Sequence, residues 1–261
     1  MTGAGDVCTV GFRVRFDEAG PDGLVRTSTL LRYAQDLASF HSAERGFDRA
    51  WYAERGLAWL ARAAAVAVLA PIAHGSNLTG TTRVVGERRV WARRRTDFHD
   101  RSGSLVAWTN VDWVLLDARG APTRIPPEFE GAFGTPKATF PLGRVDLGEP
   151  AADARTATFV VRPQELDPMD HVNNAVYADW LDEAVIGAGD PACVRAVPRV
   201  ARLEYARSAE PAATLSGAVW PAHGGWAYRL SDAAGSELLR AHLAQAIDQA
   251  TDPPGDLPQP G

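Results

Sequence analysis

The sequence is poor in lysine, in cysteine and in long apolar runs, and each shortage argues against a class of protein. Lys137 is the only lysine, and the net charge of -5 argues against a nucleic-acid binder, which is usually basic overall. Cys8 and Cys193 are too few for a disulfide framework and lack the spacing of metal ligands. We therefore expect no nucleic-acid partner, no metal and a reducing, cytoplasmic setting.

The sequence also lacks a segment suited to crossing a membrane. Residues 57–73 form the most apolar stretch, but Arg62 interrupts it and Pro71 ends it, so the stretch is too short to span a bilayer. The first residues show no basic region followed by an apolar core, as a secretory signal would. The stretch is therefore predicted to be a core strand, and no membrane span is expected.

What the chain does contain is an internal repeat. Val14 matches Val161, which lies 147 positions later, and at the same offset Tyr33 matches Trp180. Each copy leads into an amphipathic helix and then into long strands with alternating apolar residues, such as residues 106–116. With 261 residues and 46% hydrophobic content, the chain can bury two cores of roughly 120 residues each. The predicted fold class is α+β, with two sheets, each wrapped on its own long helix.

The boundaries of the two units follow from composition. Residues 1–132 are predicted to form the N-terminal unit, and residues 155–250 the C-terminal unit. Between them, residues 133–154 are dense in proline and glycine, which suits a linker. The tail at residues 251–261 is rich in proline without apolar periodicity, so we expect it to be disordered.

One stretch of the second copy has the composition of an active site. Between Asp167 and Glu183 the chain carries an acid, a histidine and the start of a helix, for which Asn173 or Asn174 is a good N-cap. The apolar stripe of that helix comprises Val176, Tyr177, Trp180, Leu181, Ala184 and Val185. The first N–H groups of a helix have no internal partner, and with the helix dipole they stabilise an oxyanion. Asp167 and His171 beside such a helix start form the minimum set of groups that acyl transfer needs.

These residues resemble the acyl-ACP thioesterases, a family whose single chain carries two hotdog domains in tandem. The marks of the resemblance are the His171-Val172-Asn173-Asn174 block with Tyr177 and Trp180, the Leu203-Glu204-Tyr205 strand, and the Trp113-Val114-Leu115-Leu116-Asp117 strand followed by Arg124-Ile125-Pro126. The helix entry is also similar to the 4-hydroxybenzoyl-CoA thioesterase branch of hotdog enzymes. Both resemblances imply a catalytic acid at Asp167. They imply hydrolysis of an acyl-ACP or acyl-CoA thioester to a free fatty acid and a carrier thiol, with no cofactor.

The chain departs from the pattern of the plant members of this family. Met169 stands where the family has an asparagine, while Ser208 and Ala209 stand where a glutamate and a cysteine would fall. A thioether cannot donate a hydrogen bond, and Ala209 excludes a cysteine nucleophile. A strand over residues 201–210 would place three polar side chains on one face, namely Glu204, Ser208 and Glu210. Of these, Glu210 is expected to be the nearest spare carboxylate.

The resemblance leaves Asp167 as the central residue of the expected mechanism. Asp167 would act either as a general base on water or as a nucleophile on the thioester carbonyl. His171 would orient the substrate or Asp167, or protonate the leaving thiolate. Backbone N–H groups at the helix start, from Val172, Asn173 and Asn174, would hold the oxyanion. The side chains expected to line an acyl pocket are Tyr177 and Trp180.

Several alternatives stay open at this point. In the first copy, Gly20 and Leu24 occupy the positions of Asp167 and His171, which suggests that the N-terminal unit supplies the acyl pocket. A hotdog enoyl hydratase or dehydratase, or a non-catalytic acyl-thioester-binding protein or sensor, would share the fold. A run of arginines favours either a docking patch for an anionic carrier or solvent-facing strands: Arg88, Arg89, Arg93, Arg94 and Arg95. Both a monomer and a homodimer agree with the tandem arrangement.

Overall fold

The computed structural model of the protein describes residues 6–134 and 140–245, and in them ten strands form one antiparallel sheet. The order across the sheet is β1-β3-β4-β5-β2-β7-β10-β9-β8-β6. The strands are β1 (Cys8–Arg13), β2 (Ala58–Val68), β3 (Asn77–Arg88), β4 (Trp91–His99), β5 (Leu105–Leu116), β6 (Arg155–Val160), β7 (Arg199–Tyr205), β8 (Thr214–Ala222), β9 (Gly225–Asp232) and β10 (Glu237–Ala244). The first five strands of the chain therefore form one half of the sheet, and the last five form the other.

Two longer helices pack on this sheet, one on each half. The helices are α1 (Thr27–Glu44), α2 (Arg49–Arg55), α3 (Pro127–Ala132), α4 (Val176–Gly187) and α5 (Pro191–Arg195). Helix α1 contacts β1, β2, β3 and β5, whereas α4 contacts β6, β8 and β9 and also touches α1. A large antiparallel sheet with few helices agrees with the α+β class. No helix in the described part of the chain is both long and apolar enough to cross a membrane.

The two halves meet along β2 and β7. Six residue pairs join these strands, from Ala63 opposite Glu204 to Val68 opposite Arg199. One hydrophobic core runs through both halves, because Leu30 of α1 belongs to the same cluster of buried residues as Leu181 of α4. The seam therefore carries both backbone pairing and side-chain packing.

The segments before α1 and α4 form matching hydrogen bonds at the offset of the sequence repeat. Short 3-10 turns, at Phe16–Glu18 and Pro163–Glu165, begin the two segments. In each, the glutamate carboxylate accepts the N–H of the preceding arginine at 2.7 Å. Gly20 N–H then donates to the Leu24 carbonyl at 2.8 Å, as Asp167 N–H donates to that of His171 at 2.8 Å. The offset of the sequence repeat is therefore the offset of the backbone.

The predicted strands are partly confirmed. The apolar stretch at residues 57–73 contains β2, and residues 106–116 lie within β5. The strand predicted over residues 201–210 is wrong in its second half, because β7 ends at Tyr205. After that, the N–H groups of Ala206 and Arg207 both turn to the carbonyl of Leu238.

The helix predicted to begin at Asn173 or Asn174 begins slightly later. Helix α4 starts at Val176, and Asn173 stabilises the turn before it, since its Oδ1 accepts the N–H of Ala175 at 2.9 Å. Asn173 is therefore a capping residue of the entry turn and not of the helix proper.

The proline- and glycine-rich segment between the halves packs closely where it is described. Phe140, Val145 and Leu147 are buried, and the last two pack against Trp220 and Ala227. Residues 135–139 of the predicted linker lie outside the described residues, as does the tail at residues 251–261. From residue 140 onward this segment is therefore part of the packed molecule and not a free tether.

Candidate active site

Asp167 lies in a tight loop between the second 3-10 turn and α4. Its carboxylate Oδ1 accepts the N–H of Met169 at 2.8 Å and that of His171 at 3.4 Å. Asp170 turns the chain with φ at 59°, where the first copy has Gly23 at φ 77°. A non-glycine residue in this left-handed region carries a small steric cost, and such residues cluster at functional sites. Oδ2 of Asp167 makes no hydrogen bond to the described residues, so this oxygen is free for a ligand.

The loop borders a cavity of about 580 Å³, within the size range of small-molecule sites. The C-terminal half contributes Asp167, Pro168, Met169, His171, Val172, Asn174, Tyr177, Tyr205, Arg207 and Ser208. The N-terminal half supplies the larger share of the lining. One face of α1 contributes Gln35, Ala38, Ser39, Ser42 and Ala43. Strands β2 to β5 and an aromatic cluster that includes Phe47, Tyr52 and Phe129 close the rest.

The backbone N–H groups at the entry to α4 differ in whether they have an acceptor. Within the described part of the chain, the N–H groups of Val172 and Asn174 have no acceptor, and both residues line the cavity. The N–H of Asn173 instead donates to the carbonyl of Glu165 at 2.9 Å. The expectation that Asn173 donates to an oxyanion is therefore wrong, because its N–H is already bonded. For Val172 and Asn174 this role stays a prediction.

Two buried tyrosines hold the inner side of the loop. The Tyr205 hydroxyl donates to the carbonyl of Asn174 at 3.1 Å, and the Tyr177 hydroxyl accepts the N–H of Ala209 at 2.9 Å. Their rings lie edge to face with centroids 5.5 Å apart. Burial raises the pKa of both hydroxyls, so both stay protonated at neutral pH. Tyr177 therefore lines the cavity, and its hydroxyl also holds the chain at Ala209 through this hydrogen bond.

Three arginines of the cavity lining lie close to the Asp167 loop or to the chain that follows β7. Arg49 donates to the carbonyl of Pro168 at 3.0 Å, and Arg62 donates to that of Ala206 at 2.7 Å. Arg207 also lines the cavity and is exposed. The sequence analysis missed all three as site residues. The sequence offered one signal for such a residue. Arg62 is a charged residue inside the most apolar stretch, and neither a membrane span nor a core strand explains its charge.

Several residues expected at the site lie elsewhere. Trp180 does not line the cavity, because its ring packs 5.8 Å from that of Phe159 in the core. Glu204 faces the linker, where its Oε2 accepts the N–H of Val145 at 2.9 Å. Glu210 is exposed and is absent from the lining, since it follows the end of β7. Only Ser208 of the proposed auxiliary face reaches the cavity, together with Met169 from the loop.

The arginine run is not a uniform surface. Arg88 and Arg89 are exposed, but the three others are held by protein groups. Arg93 forms two bonds to Asp112, and Arg95 donates to Asp97 at 2.6 Å. The proposed docking patch is therefore reduced to its first two arginines.

Comparison with known families agrees with this geometry. The model of the acyl-ACP thioesterase N-terminal domain matches residues 5–132, and that of the C-terminal domain matches residues 148–214. This chain belongs to the acyl-ACP thioesterase family. The two matches follow one another along the chain in the order of the two sheet halves. The predicted family resemblance is thereby confirmed.

Solved thioesterase structures share the fold at low sequence identity. A chain from Lactobacillus plantarum described as an oleoyl thioesterase is 17% identical, with a TM-score of 0.83, covering 92% of this chain and 96% of that one. A 12:0-ACP thioesterase from Umbellularia californica is 23% identical, with a TM-score of 0.77 and coverage of 92% and 97%. Uncharacterized proteins from two strains of Mycobacterium tuberculosis are 24% identical over 182 residues, which is 69% of this chain and 70% of theirs. The structural likenesses show a hotdog-like thioesterase fold.

Proposed function

We propose that this chain hydrolyses fatty acyl-ACP or acyl-CoA thioesters to a free fatty acid and a carrier thiol. One observation carries the proposal. A carboxylate oxygen with no bond to the described residues, a histidine and two free backbone N–H groups border one mostly apolar cavity. Membership of the acyl-ACP thioesterase family supports thioester hydrolysis as the reaction class.

In this proposal the two sheet halves act as tandem hotdog units with divided roles. Residues 155–250 supply the reactive groups, and residues 1–132 supply most of the acyl pocket. The thioester lies at the mouth with its carbonyl oxygen toward the N–H groups of Val172 and Asn174, which stabilise the negative charge that develops there. The acyl chain extends along α1, where small side chains such as Ala38 leave room.

Asp167 acts on the carbonyl carbon through Oδ2, while its Oδ1 is held by the N–H of Met169. As a general base, Asp167 takes a proton from water, and the resulting hydroxide adds to the carbonyl. As a nucleophile, it forms an acyl anhydride that water then cleaves. His171 lies at the mouth, where a carrier thiol leaves, and in either route it protonates the thiolate.

The central test is thiol release from acyl-ACP and acyl-CoA substrates by the wild type and single variants. We expect Asp167→Asn to lower kcat by about a hundredfold to ten-thousandfold, because the amide can neither accept the proton nor attack. His171→Ala is expected to lower kcat by about a hundredfold. Asp170→Asn is the matched control, since Asp170 is exposed, does not line the cavity, and asparagine tolerates its positive φ. An Asp167→Asn enzyme with wild-type kcat would contradict the proposal.

Single turnover in 18O-labelled water tests for the anhydride. Label found in the Asp167 carboxyl group after one turnover indicates an anhydride that water cleaved at the Asp167 carbonyl carbon. Label found only in the fatty acid shows that water attacked the acyl carbon, which both routes allow. Mass spectrometry of the peptide that contains Asp167 gives the answer.

A second candidate function rests on Met169. Because a methionine lines the cavity where the family has a hydrogen-bonding asparagine, a non-catalytic acyl-thioester-binding protein is the alternative. Tight binding of acyl-ACP by the wild type without thiol release would favour it. Hydration of an enoyl thioester without thiol release would instead indicate the hydratase alternative.

A further inference from the structure

The cavity contains a half-buried cation among its mostly apolar lining. Arg94 projects from β4 into the lining, and its Nη1 donates to Nδ1 of His41 at 2.9 Å. Since arginine is a donor only, His41 accepts at Nδ1, so its Nε2 carries the hydrogen that faces Asp6 Oδ1 at 3.2 Å. His41 is buried, and its hydrogen bond to Nη1 fixes the position of the guanidinium.

The donors of Arg94 exceed the acceptors that the described residues offer it. The guanidinium has five N–H hydrogens, and its hydrogen bond within the described residues is the one to His41. Asp6, the carboxylate behind His41, is also paired with Arg45. Burial lowers the pKa of Arg94 to about 10, which leaves the side chain charged at neutral pH. The nearby Tyr52 hydroxyl already hydrogen-bonds both Ser42 and Trp59.

The register of the sheet places Arg94 well away from the reactive loop. Tyr205 on β7 lies beside the loop, and the paired strands β2, β5 and β4 follow in order. Ala61 on β2 pairs with Trp113 on β5, which pairs with Ala92 on β4, two residues before Arg94. Three interstrand spacings amount to about 14 Å. An acyl chain of medium length spans this distance from the thioester.

The lining between these two ends is largely hydrocarbon or aromatic. Leu57, Ala61, Trp113 and Phe129 all line the cavity. Glu87 on β3 lines it as well. A plain alkyl chain would therefore leave the Arg94 donors without an acceptor, which is costly in a buried site.

We propose that the cavity selects acyl chains that carry an oxygen function at their distal end, with Arg94 as the donor to that oxygen. The oxygen belongs to a hydroxyl, a carbonyl or a carboxylate group. The inference rests on the proposed thioesterase function and specifies its substrate class. Charge-assisted hydrogen bonds in buried sites give discrimination of about tenfold to a hundredfold.

The test compares octanoyl and decanoyl thioesters with their omega-hydroxy, omega-oxo and omega-carboxy analogues. For the wild type we expect kcat/KM to be at least about tenfold higher for one oxygenated class than for the plain chain of equal length. In Arg94→Met this ratio should fall to about one, and Arg94→Lys should restore part of it. Arg119→Met is the matched control, because Arg119 is exposed on a hairpin and the ratio should keep its wild-type value.

Binding of non-hydrolysable thioether analogues, measured by calorimetry, separates this inference from the proposed function. If no thioester is hydrolysed but the oxygenated analogues still bind at least about tenfold tighter, the function fails and the selectivity stands. If plain chains are hydrolysed as well as oxygenated ones, and the analogues bind equally, the selectivity is overturned while the function stands. Better turnover of longer plain chains by Arg94→Met, with no change in the oxygenated ratio, would show that Arg94 only limits chain length. The wild-type comparison stays decisive even if Arg94→Met does not fold.

Discussion

At the residue scale, the exchange between Gly20 and Asp167 separates a structural loop from a candidate catalytic one. Both positions donate an N–H to a carbonyl four residues later at 2.8 Å, so the backbone is the same. In the second copy the added carboxylate bonds the N–H of Met169, and a histidine replaces Leu24. The Asp167 carboxylate and the His171 imidazole therefore lie on a loop whose backbone hydrogen bond also forms in the first copy, where both groups are missing.

Asp182 supplies a pH prediction at the same scale. Burial raises its pKa from 3.8 to about 7, and its Oδ1 is buried without a hydrogen-bond partner in the described residues. Since the folded chain then binds this proton more tightly than the unfolded chain does, stability from this group is full below pH 4 and is lost as pH rises toward 7. We expect the wild type to lose about 2 kcal/mol between pH 5 and pH 8 relative to Asp182→Asn.

Urea unfolding of both proteins at several pH values measures this difference. The asparagine variant is the reference because it keeps the shape and cannot titrate. Equal pH slopes for the two proteins would mean that Asp182 titrates normally in the folded chain.

At the scale of elements, the two helix-on-sheet layers are filled differently. Beneath α1, small residues such as Ala38 and Ala61 border the cavity. Beneath α4, the rings of Phe159, Trp180 and Tyr228 are buried. Small side chains along part of α1 and β2 therefore leave room for the cavity, whereas the rings of Phe12, Tyr33 and Phe98 fill the rest of the layer beside α1.

Gly80 on β3 tests how closely α1 must approach the sheet. A Cβ at this position would lie 2.8 Å from Leu37 Cδ1 and 2.9 Å from Phe12 Cε2, and both neighbours belong to packed elements. We expect Gly80→Ala to lower the free energy of unfolding by about 1 to 2 kcal/mol, since overpacking outweighs the entropy that alanine saves. Gly11→Ala on β1 is the control, because no atom lies within 4 Å of its Cβ position.

Chemical denaturation of the two variants gives the comparison directly. A Gly80→Ala protein as stable as Gly11→Ala would show that the layer between α1 and the sheet is compliant and not close-packed.

At the scale of the whole molecule, β2 and β7 make one sheet out of two halves. Their six pairs and the shared core imply that neither half can unfold without exposing the apolar surface of the other. The cavity likewise depends on both halves, because the reactive loop and most of the lining come from opposite sides of this seam.

We therefore expect a single cooperative transition in urea. Far-ultraviolet circular dichroism and tryptophan fluorescence should give the same midpoint, since the eight tryptophans are distributed over both halves. Two separated transitions would contradict the shared core and would indicate halves that fold independently.

The local features were predictable because short-range hydrogen bonds and periodicity determine them. The repeat, strands β2 and β5, and the turn that brings Asp167 to His171 all follow from neighbouring residues. The prediction for Glu210 was wrong because strand alternation was extended past Tyr205, where the chain leaves β7 for a contact with Leu238. Nothing in the nearby sequence marks that departure.

The sequence by itself determined the family and the loop that carries Asp167 and His171, since both depend on residues close together in the chain. Only the tertiary structure decided where the cavity lies, that Trp180 faces the core, and that Arg94 reaches the cavity. These outcomes depend on side-chain volumes summed over α1 and several strands. Residues far apart in sequence meet there, and no local pattern records their combined shape.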